Sequence, residues 1–229
     1  MIFNENKKLL GTDYNQKIQT KHVLIVGLGG LGGFVANALV RLGVENLTLV
    51  DFDCFTMSNL NRQLFSSTEV LGQSKVDVIK TNLLLINPDI KVDTQQRKIQ
   101  SVNSLDRIDV VFDCVDNIET RLWLERYAND NHIPLVHGAI GGWYGQFGVV
   151  LPGSKILETI YQNKKSGIEK VLGSPTFIPP IIANMMVTEY IKYIFGIPET
   201  LINKLMLVDL KDHNYSIVFD KTKKKSTAS

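Results

Sequence analysis

Residues 22–63 read HVLIVGLGGLGGFVANALVRLGVENLTLVDFDCFTMSNLNRQ. The opening HVLIV is apolar and rich in β-branched side chains, the pattern of a parallel strand covered on both faces. Gly27, Gly29 and Gly32 then fit G-x-G-x-x-G, with Gly30 inside the same turn. The first glycine permits the tight bend, the second lets a phosphate approach the backbone, and the third lets helix and strand pack closely. A helix expected from about residue 31 to 42 points its free N–H groups and positive dipole end at that phosphate. NLTLV forms a second strand, and Asp51 follows 24 positions after Gly27, where a ribose-binding acid belongs. These glycines alone leave a dinucleotide site, and with it an NAD-dependent oxidoreductase, open beside a polyphosphate site.

The next residues bear on that choice. Behind Asp51 and Asp53 lies the polar stretch SNLNRQ, with Asn59, Arg62 and Gln63. A hydride-transfer enzyme has no need of two amides and a guanidinium there. A polyphosphate does, because Arg62 offers a planar donor fork to its oxygens.

GLGGLG, then DFD, then SNLNRQ resembles the HesA/MoeB/ThiF family over about Val23 to Val208. These are bacterial relatives of ubiquitin-activating enzymes. The resemblance implies ATP-dependent adenylation of the C-terminal glycine of a small ubiquitin-like sulfur carrier ending in Gly-Gly. Mg²⁺ would be the metal, and a homodimer the assembly. It implies a phosphate-binding lysine, here Lys75, after a G-x-x-K step. The family's D-x-x-D-N-x-x-x-R falls on Asp113, Asp116, Asn117 and Arg121. Asp116 is expected to hold Mg²⁺ or the triphosphate, Asn117 to cap a helix at the cleft, and Arg121 to form an ion pair on a helix face. The expected nucleotide-contacting set is therefore Gly27, Gly29, Gly30, Gly32, Asp51, Asp53, Asn59, Arg62, Gln63, Lys75, Asp116 and Asn117. Arg62, Lys75 and Asp116 carry the catalytic load.

The chain departs from the family in three places. Relatives reach a partner's nucleotide with an N-terminal arginine, but no arginine precedes Arg41, leaving Lys7 or Lys8 as weaker point charges. Two cysteines, Cys54 and Cys114, cannot supply the four thiolates of the family's structural zinc, so no zinc site is expected. No cysteine follows Cys114, so a thioester or persulfide relay is not expected either, and the reaction would stop at the acyl-adenylate. Three alternatives remain: a tRNA threonylcarbamoyladenosine dehydratase-like enzyme, a scaffold that binds a carrier without catalysis, and the oxidoreductase.

The rest of the chain sets the frame. Its 229 residues are 44% hydrophobic, enough for one large α/β domain. A net charge of +2 gives no field that calls for nucleic acid, and no apolar run suits a membrane span or a secretory leader. Two cysteines without a disulfide framework suit a reducing cytoplasm. The expected fold is α/β and Rossmann-like, a mostly parallel sheet flanked by helices and extended by antiparallel C-terminal strands. It reads as a single adenylation domain over 1–229, with a solvated arm at 1–21, a crossover loop at 153–176 and a flexible tail at 221–229. Further expectations are a helix within 68–86, a strand over 110–116 ending in Asp116, and a helix over 118–131. His137 is expected as a hydrogen-bonded core group in a strand. Trp143 and Tyr144 read as core packing, with carrier docking as the alternative, and a helix is expected over 181–196.

Overall fold

The computed structural model describes residues 3–220 except 12, 103, 104, 106, 162, 163, 165, 166 and 168. The expected tail at 221–229 and parts of the expected crossover loop lie outside the described residues.

Eight strands form one sheet. They are β1 (His22–Val26), β2 (Asn46–Val50), β3 (Lys91–Gln95), β4 (Val110–Asp113), β5 (Leu135–Gly141), β6 (Tyr144–Val150), β7 (Lys204–Asp209) and β8 (Asn214–Asp220). Their order is β3-β2-β1-β4-β5-β6-β7-β8. The pairs from β3 through β5 are parallel, and those from β5 through β8 are antiparallel. This is the expected fold class. The order reverses between β1 and β4, and the crevice outside the carboxyl ends of strands at such a reversal is where open α/β sheets take ligands.

Alternation along the strands divides the core. Val23 and Ile25 of β1, Leu47 and Leu49 of β2, and Val110 and Phe112 of β4 face one layer. There they meet α2 (Gly32–Arg41), α3 (Lys75–Ile86) and α7 (Ile178–Phe195). Leu24, Val26, Val50 and Val111 face the other layer, with α4 (Ile118–Asp130) and the short α5 (Ile156–Tyr161). Both faces of the central strands are thus covered, which is why they read as unbroken apolar runs.

Several boundaries differ from the sequence expectation, each for a local reason. β4 ends at Asp113 and not at Asp116, because the Asp113 carboxylate bends the chain by accepting from Val115 N–H at 3.3 Å. Residues 68–70 form a separate short turn, and α3 starts at Lys75. α7 starts at Ile178, with Pro179 and Pro180 inside its first turn, where a missing N–H costs nothing. Gly196, at φ 66°, ends it in the left-handed region. The N-terminal arm is not wholly solvated. After α1 (Asn4–Leu10), Tyr14 and Ile18 are fully buried, and the Tyr14 hydroxyl donates to the Leu42 carbonyl. The span 153–176, expected as a crossover loop, is not all loop. Its first part is α5, whose Ile156, Leu157 and Tyr161 are buried, and whose Leu157 and Glu158 N–H groups donate to Glu125 at 2.8 Å each. A further short helix, α6 (Glu169–Leu172), follows.

The turn between β1 and α2 tolerates only glycine at positions 27 and 32. A Cβ at Gly32 would lie 1.9 Å from the Gly27 carbonyl oxygen, and one at Gly27 would lie 2.7 Å from the Cys114 carbonyl oxygen. Gly32→Ala is expected to push α2 off β1 and to cost about 1–3 kcal/mol, as overpacking does. Urea unfolding followed by circular dichroism should show the midpoint fall at unchanged m; an unchanged midpoint would refute the close approach.

Candidate functional site

A cleft of about 790 Å³ opens at the carboxyl ends of β1, β2 and β4. Its floor is the glycine turn. Asp51, the first residue past β2, fixes that turn: Oδ2 accepts from Leu28 N–H at 2.6 Å and Oδ1 from Asp53 N–H at 2.8 Å. Burial pushes the Asp51 carboxyl up, against the pull of Lys75 and the two backbone donors. Each carboxylate oxygen can accept more than one bond, so the group remains open to a ligand hydroxyl.

The stretch 56–63 forms a tight turn on the cleft's second side. Asn59 Oδ1 accepts from Thr56 N–H at 3.0 Å and so caps this turn, a structural task beside its place in the cleft wall. Arg62 Nη1 donates to the Ser58 carbonyl at 2.7 Å and to Asn61 Oδ1 at 2.8 Å. Gln63 is buried beneath Gly29, and its Oε1 has no hydrogen-bond partner among the described residues. A buried amide oxygen left without a donor is costly, and a ligand that fills the cleft would remove that cost.

Lys75, at the first turn of α3, is 4% exposed, and its Nζ donates to Asp53 Oδ2 at 3.0 Å. An ammonium carries three donors, so one contact to Asp53 leaves others for an anion. Asp116 and Asn117 line the opposite wall in the turn from β4 to α4. Asp116 is exposed. Asn117 caps α4, with Oδ1 accepting from Thr120 N–H at 2.8 Å. Of the expected nucleotide-contacting residues, only Gly32 does not line the cleft; it sits behind the turn and sets its shape. Among the described residues no cluster of three or more His, Cys, Asp or Glu could hold a metal unaided.

Sequence reasoning missed the cleft's remaining wall. Phe52, Arg97, Lys98 and Gln100 line it, and Lys98 Nζ lies 5.9 Å from the centre of the Phe52 ring. Arg97 and Lys98 sit just past β3, at the carboxyl end of a parallel strand, and that position was the one available signal.

Behind the cleft lies a buried polar cluster. Asp113 Oδ2 accepts from Arg121 Nε at 3.0 Å and contacts His137 Nδ1 at 2.7 Å. Arg121 Nη2 donates to the Val115 carbonyl at 2.6 Å, one residue before Asp116. Gln146 Nε2 sits 2.9 Å from His137 Nε2 and donates to the Tyr161 hydroxyl. The expectations of an ion-paired Arg121 and a hydrogen-bonded core His137 both match this geometry. Burial alone would raise Asp113, but Arg121 and His137 outweigh it and hold its carboxyl below the ordinary value. Burial lowers His137, against the pull of Asp113. A neutral ring with its proton on Nδ1 donates to Asp113 and accepts from Gln146, so every polar atom of the ring is paired. Trp143 differs from its expectation of core packing: it is 47% exposed, with its ring 4.6 Å from that of Phe177.

The fold and cleft define an α/β protein whose glycine turn and following N-R-Q loop line one cleft at the strand-order reversal. The chain belongs to the ThiF family, whose model matches residues 3–228. It is 34% identical over 211 residues to the molybdopterin-synthase adenylyltransferase of Haemophilus influenzae, covering 88% of this chain and 86% of that protein. The tRNA threonylcarbamoyladenosine dehydratase of the same organism is 34% identical over 143 residues, 61% of this chain and 54% of that protein. Among solved structures, Escherichia coli MccB with ATP superposes with a TM-score of 0.77 at 22% identity, over 93% of this chain and 70% of that one. This chain spans 65% to 71% of the lengths of such solved chains.

The paired, uncharged state of His137 has a consequence for pH. Its folded-state pKa lies below the ordinary 6.5, so the unfolded chain binds the extra proton more readily. Stability from this group is therefore complete above 6.5 and falls as pH drops below it, by at most about 1.4 kcal/mol per pH unit. Asp113, held low, adds its own loss only in more acidic solution, as pH falls below the ordinary carboxylate value toward its lowered one. Nitrogen NMR through a pH titration should show neutral His137 with its proton on Nδ1 and a midpoint below the ordinary 6.5. A midpoint above 6.5 would overturn the assignment.

Proposed function

We propose that the chain adenylates the C-terminal carboxylate of a small ubiquitin-like sulfur-carrier protein, using Mg·ATP and releasing pyrophosphate. The observation that carries this reading is the convergence of the glycine turn, Arg62, Gln63, Lys75 and Asp116 on one cleft at the β1/β4 reversal. Membership of the ThiF family and the 88% coverage of this chain by a named adenylyltransferase support it.

The donor set fits a triphosphate. Arg62 is held by one nitrogen, which leaves the edge formed by Nε and Nη2 for phosphate oxygens. Lys75 brings a buried ammonium to the same cleft, and the amides of the glycine turn face it from below. Asp51 accepts from ribose hydroxyls, and the orphaned amide of Gln63 is filled by ribose or by a water on the phosphates. Asp53 orients Lys75. Asp116 offers one carboxylate to Mg²⁺, which suits a cation held mainly by phosphate and water. When bound, Mg²⁺ would neutralise charge across the phosphate oxygens.

The chemical difficulty is the approach of one anion to another. The carrier's carboxylate is already ionised at neutral pH, so no general base is required. Its oxygen attacks the α-phosphorus, the bond to the bridging oxygen breaks, and pyrophosphate leaves with the electron pair. Arg62 and Lys75 lower the barrier by holding fixed positive charge where negative charge accumulates. The chain acts as a homodimer, and residues 1–229 supply its adenylation domain. With no cysteine among residues 115–229, the acyl-adenylate passes to a sulfur donor or other acceptor outside residues 1–229.

The tRNA-directed dehydratase is the second reading, favoured by the 34% identity over 143 residues. Carrier-dependent ATP–pyrophosphate exchange, run with candidate proteins ending in Gly-Gly, separates the two. Exchange with one such carrier is expected. AMP formation stimulated by tRNA, with none stimulated by any carrier, would reverse the assignment. Arg62→Ala and Asp116→Ala are each expected to lower the exchange rate by about 10²–10³, the cost of losing one transition-state stabilising group. Rates within a factor of two of wild type would remove these residues from the mechanism.

A further inference from the structure

Asn61 lies between Asn59 and Arg62 in the N-R-Q loop. Its amide makes two contacts in opposite directions. Oδ1 accepts from Arg62 Nη1 at 2.8 Å, and Nδ2 donates to the Ser174 carbonyl at 3.2 Å, across 113 residues of chain. Ser174 lines the cleft. The chain there is held a second time, because Gly142 N–H donates to the Gly173 carbonyl at 2.8 Å. Gly142 and Gly173 both have positive φ, 58° and 71°, and Leu172 packs over Gly142 so closely that a Cβ there would lie 3.0 Å from the Leu172 Cβ. The landing of residues 172–174 beside the β5–β6 turn is therefore a built contact.

We propose that Asn61 is a positioning residue for Arg62, and that it ties the guanidinium to the backbone at Ser174. A guanidinium has five N–H donors in a rigid plane. The two on Nη1 are taken by the Ser58 carbonyl and by Asn61, while Nε and Nη2 have no partner among the described residues. Two acceptors on one nitrogen fix the plane of the group. Its free edge is then the pair of parallel donors that fits a phosphate. Without Asn61 a single bond to Ser58 remains, about which the long side chain can swing, and ordering it falls to the nucleotide. The second contact makes the orientation depend on where the chain lies at Ser174. A tail crossing the cleft mouth there would be sensed at Arg62 through one side chain. This inference rests on the nucleotide reading of the cleft.

The test is calorimetric titration of Mg·ATP into the full chain. Wild type, Asn61→Ala, Arg62→Ala and the double variant form a cycle, with Asn61→Gln as the conservative replacement. Asn61→Ala should weaken Kd by about 3- to 10-fold, the scale of one ordinary intramolecular hydrogen bond. Stoichiometry should be unchanged and Tm should stay within about 2 °C, which a merely structural role would not give. Because Asn61 acts through Arg62, the double variant should bind no more weakly than Arg62→Ala alone. Asn61→Gln should recover part of the loss. Gly142→Ala, which displaces residues 172–174 without touching the loop, should weaken binding in the wild-type background and add nothing to Asn61→Ala. Binding by Asn61→Ala equal to wild type, or losses that add in the double variant, would overturn the proposal while leaving the nucleotide reading intact. Wild-type protein that fails to bind Mg·ATP would overturn both.

Discussion

The carbonyl of Gly27 occupies the space that a side chain at residue 32 would need. That contact brings α2 down onto β1, and the rest of the cleft follows from it. With the helix seated this close, Leu28 N–H points at Asp51, whose carboxylate closes the distance between the end of β1 and the end of β2. The same bend brings Gly27 against the Cys114 carbonyl, so β4 must leave the sheet immediately past Asp113. Three strand ends are thereby drawn to one point. Strand parallelism alone would align them, but only the absence of two Cβ atoms lets them converge closely enough to share a ligand.

Charge within this construction is arranged in two layers. At the cleft surface stand groups that are paired incompletely: Arg62 with a free edge, Lys75 with one carboxylate, Gln63 with an unsatisfied oxygen. Behind them Asp113, Arg121, His137, Gln146 and Tyr161 satisfy one another, with Asp113 and His137 fully buried and Gln146 half-buried. The buried pair of Asp113 and Arg121 is not an economical source of stability, since desolvating two charges offsets most of their attraction. What it supplies is direction. Arg121 reaches past its partner to the Val115 carbonyl and so determines where Asp116 stands. The outer layer can be left incompletely paired because the inner one is rigid.

The sequence made the central fold legible because both signals there are strong and local. Apolar runs with β-branched residues gave β1, β2 and β4, and the spacing of Gly27, Gly29, Gly32 and Asp51 gave the turn and its acid. Chemistry carried by a short stretch was equally legible: Arg62, Gln63 and Lys75 reach the cleft with residues from their own loops. Pairings between distant residues were not. Nothing in VVFDCVD announces that Asp113 will be captured by Arg121 and His137, and so the strand was read three residues too long. Tyr14 looks like part of a polar arm until Gly43 provides the gap beneath which it packs. Ile156 and Leu157 sit in an irregular stretch, and Glu125 on α4 helps hold α5 by capping it. Arg97 and Lys98 resemble any exposed charged pair until the parallel register of β3 places them at the cleft rim.

These misses share a physical cause that also explains how the cleft's parts depend on one another. A six-residue helix such as α5 is too short to persist in water, so it exists through its cap and through burial of Tyr161. Tyr161 in turn packs against the guanidinium of Arg121, 5.0 Å from the ring centre, and accepts from Gln146. The same Arg121 supports the turn that carries Asp116. The element that begins the span expected to cross over the cleft, and the carboxylate expected to meet the metal, are therefore stabilised by one buried side chain. Loosening either end would be transmitted to the other through Arg121, because a desolvated charge cannot give up one partner without stranding the rest.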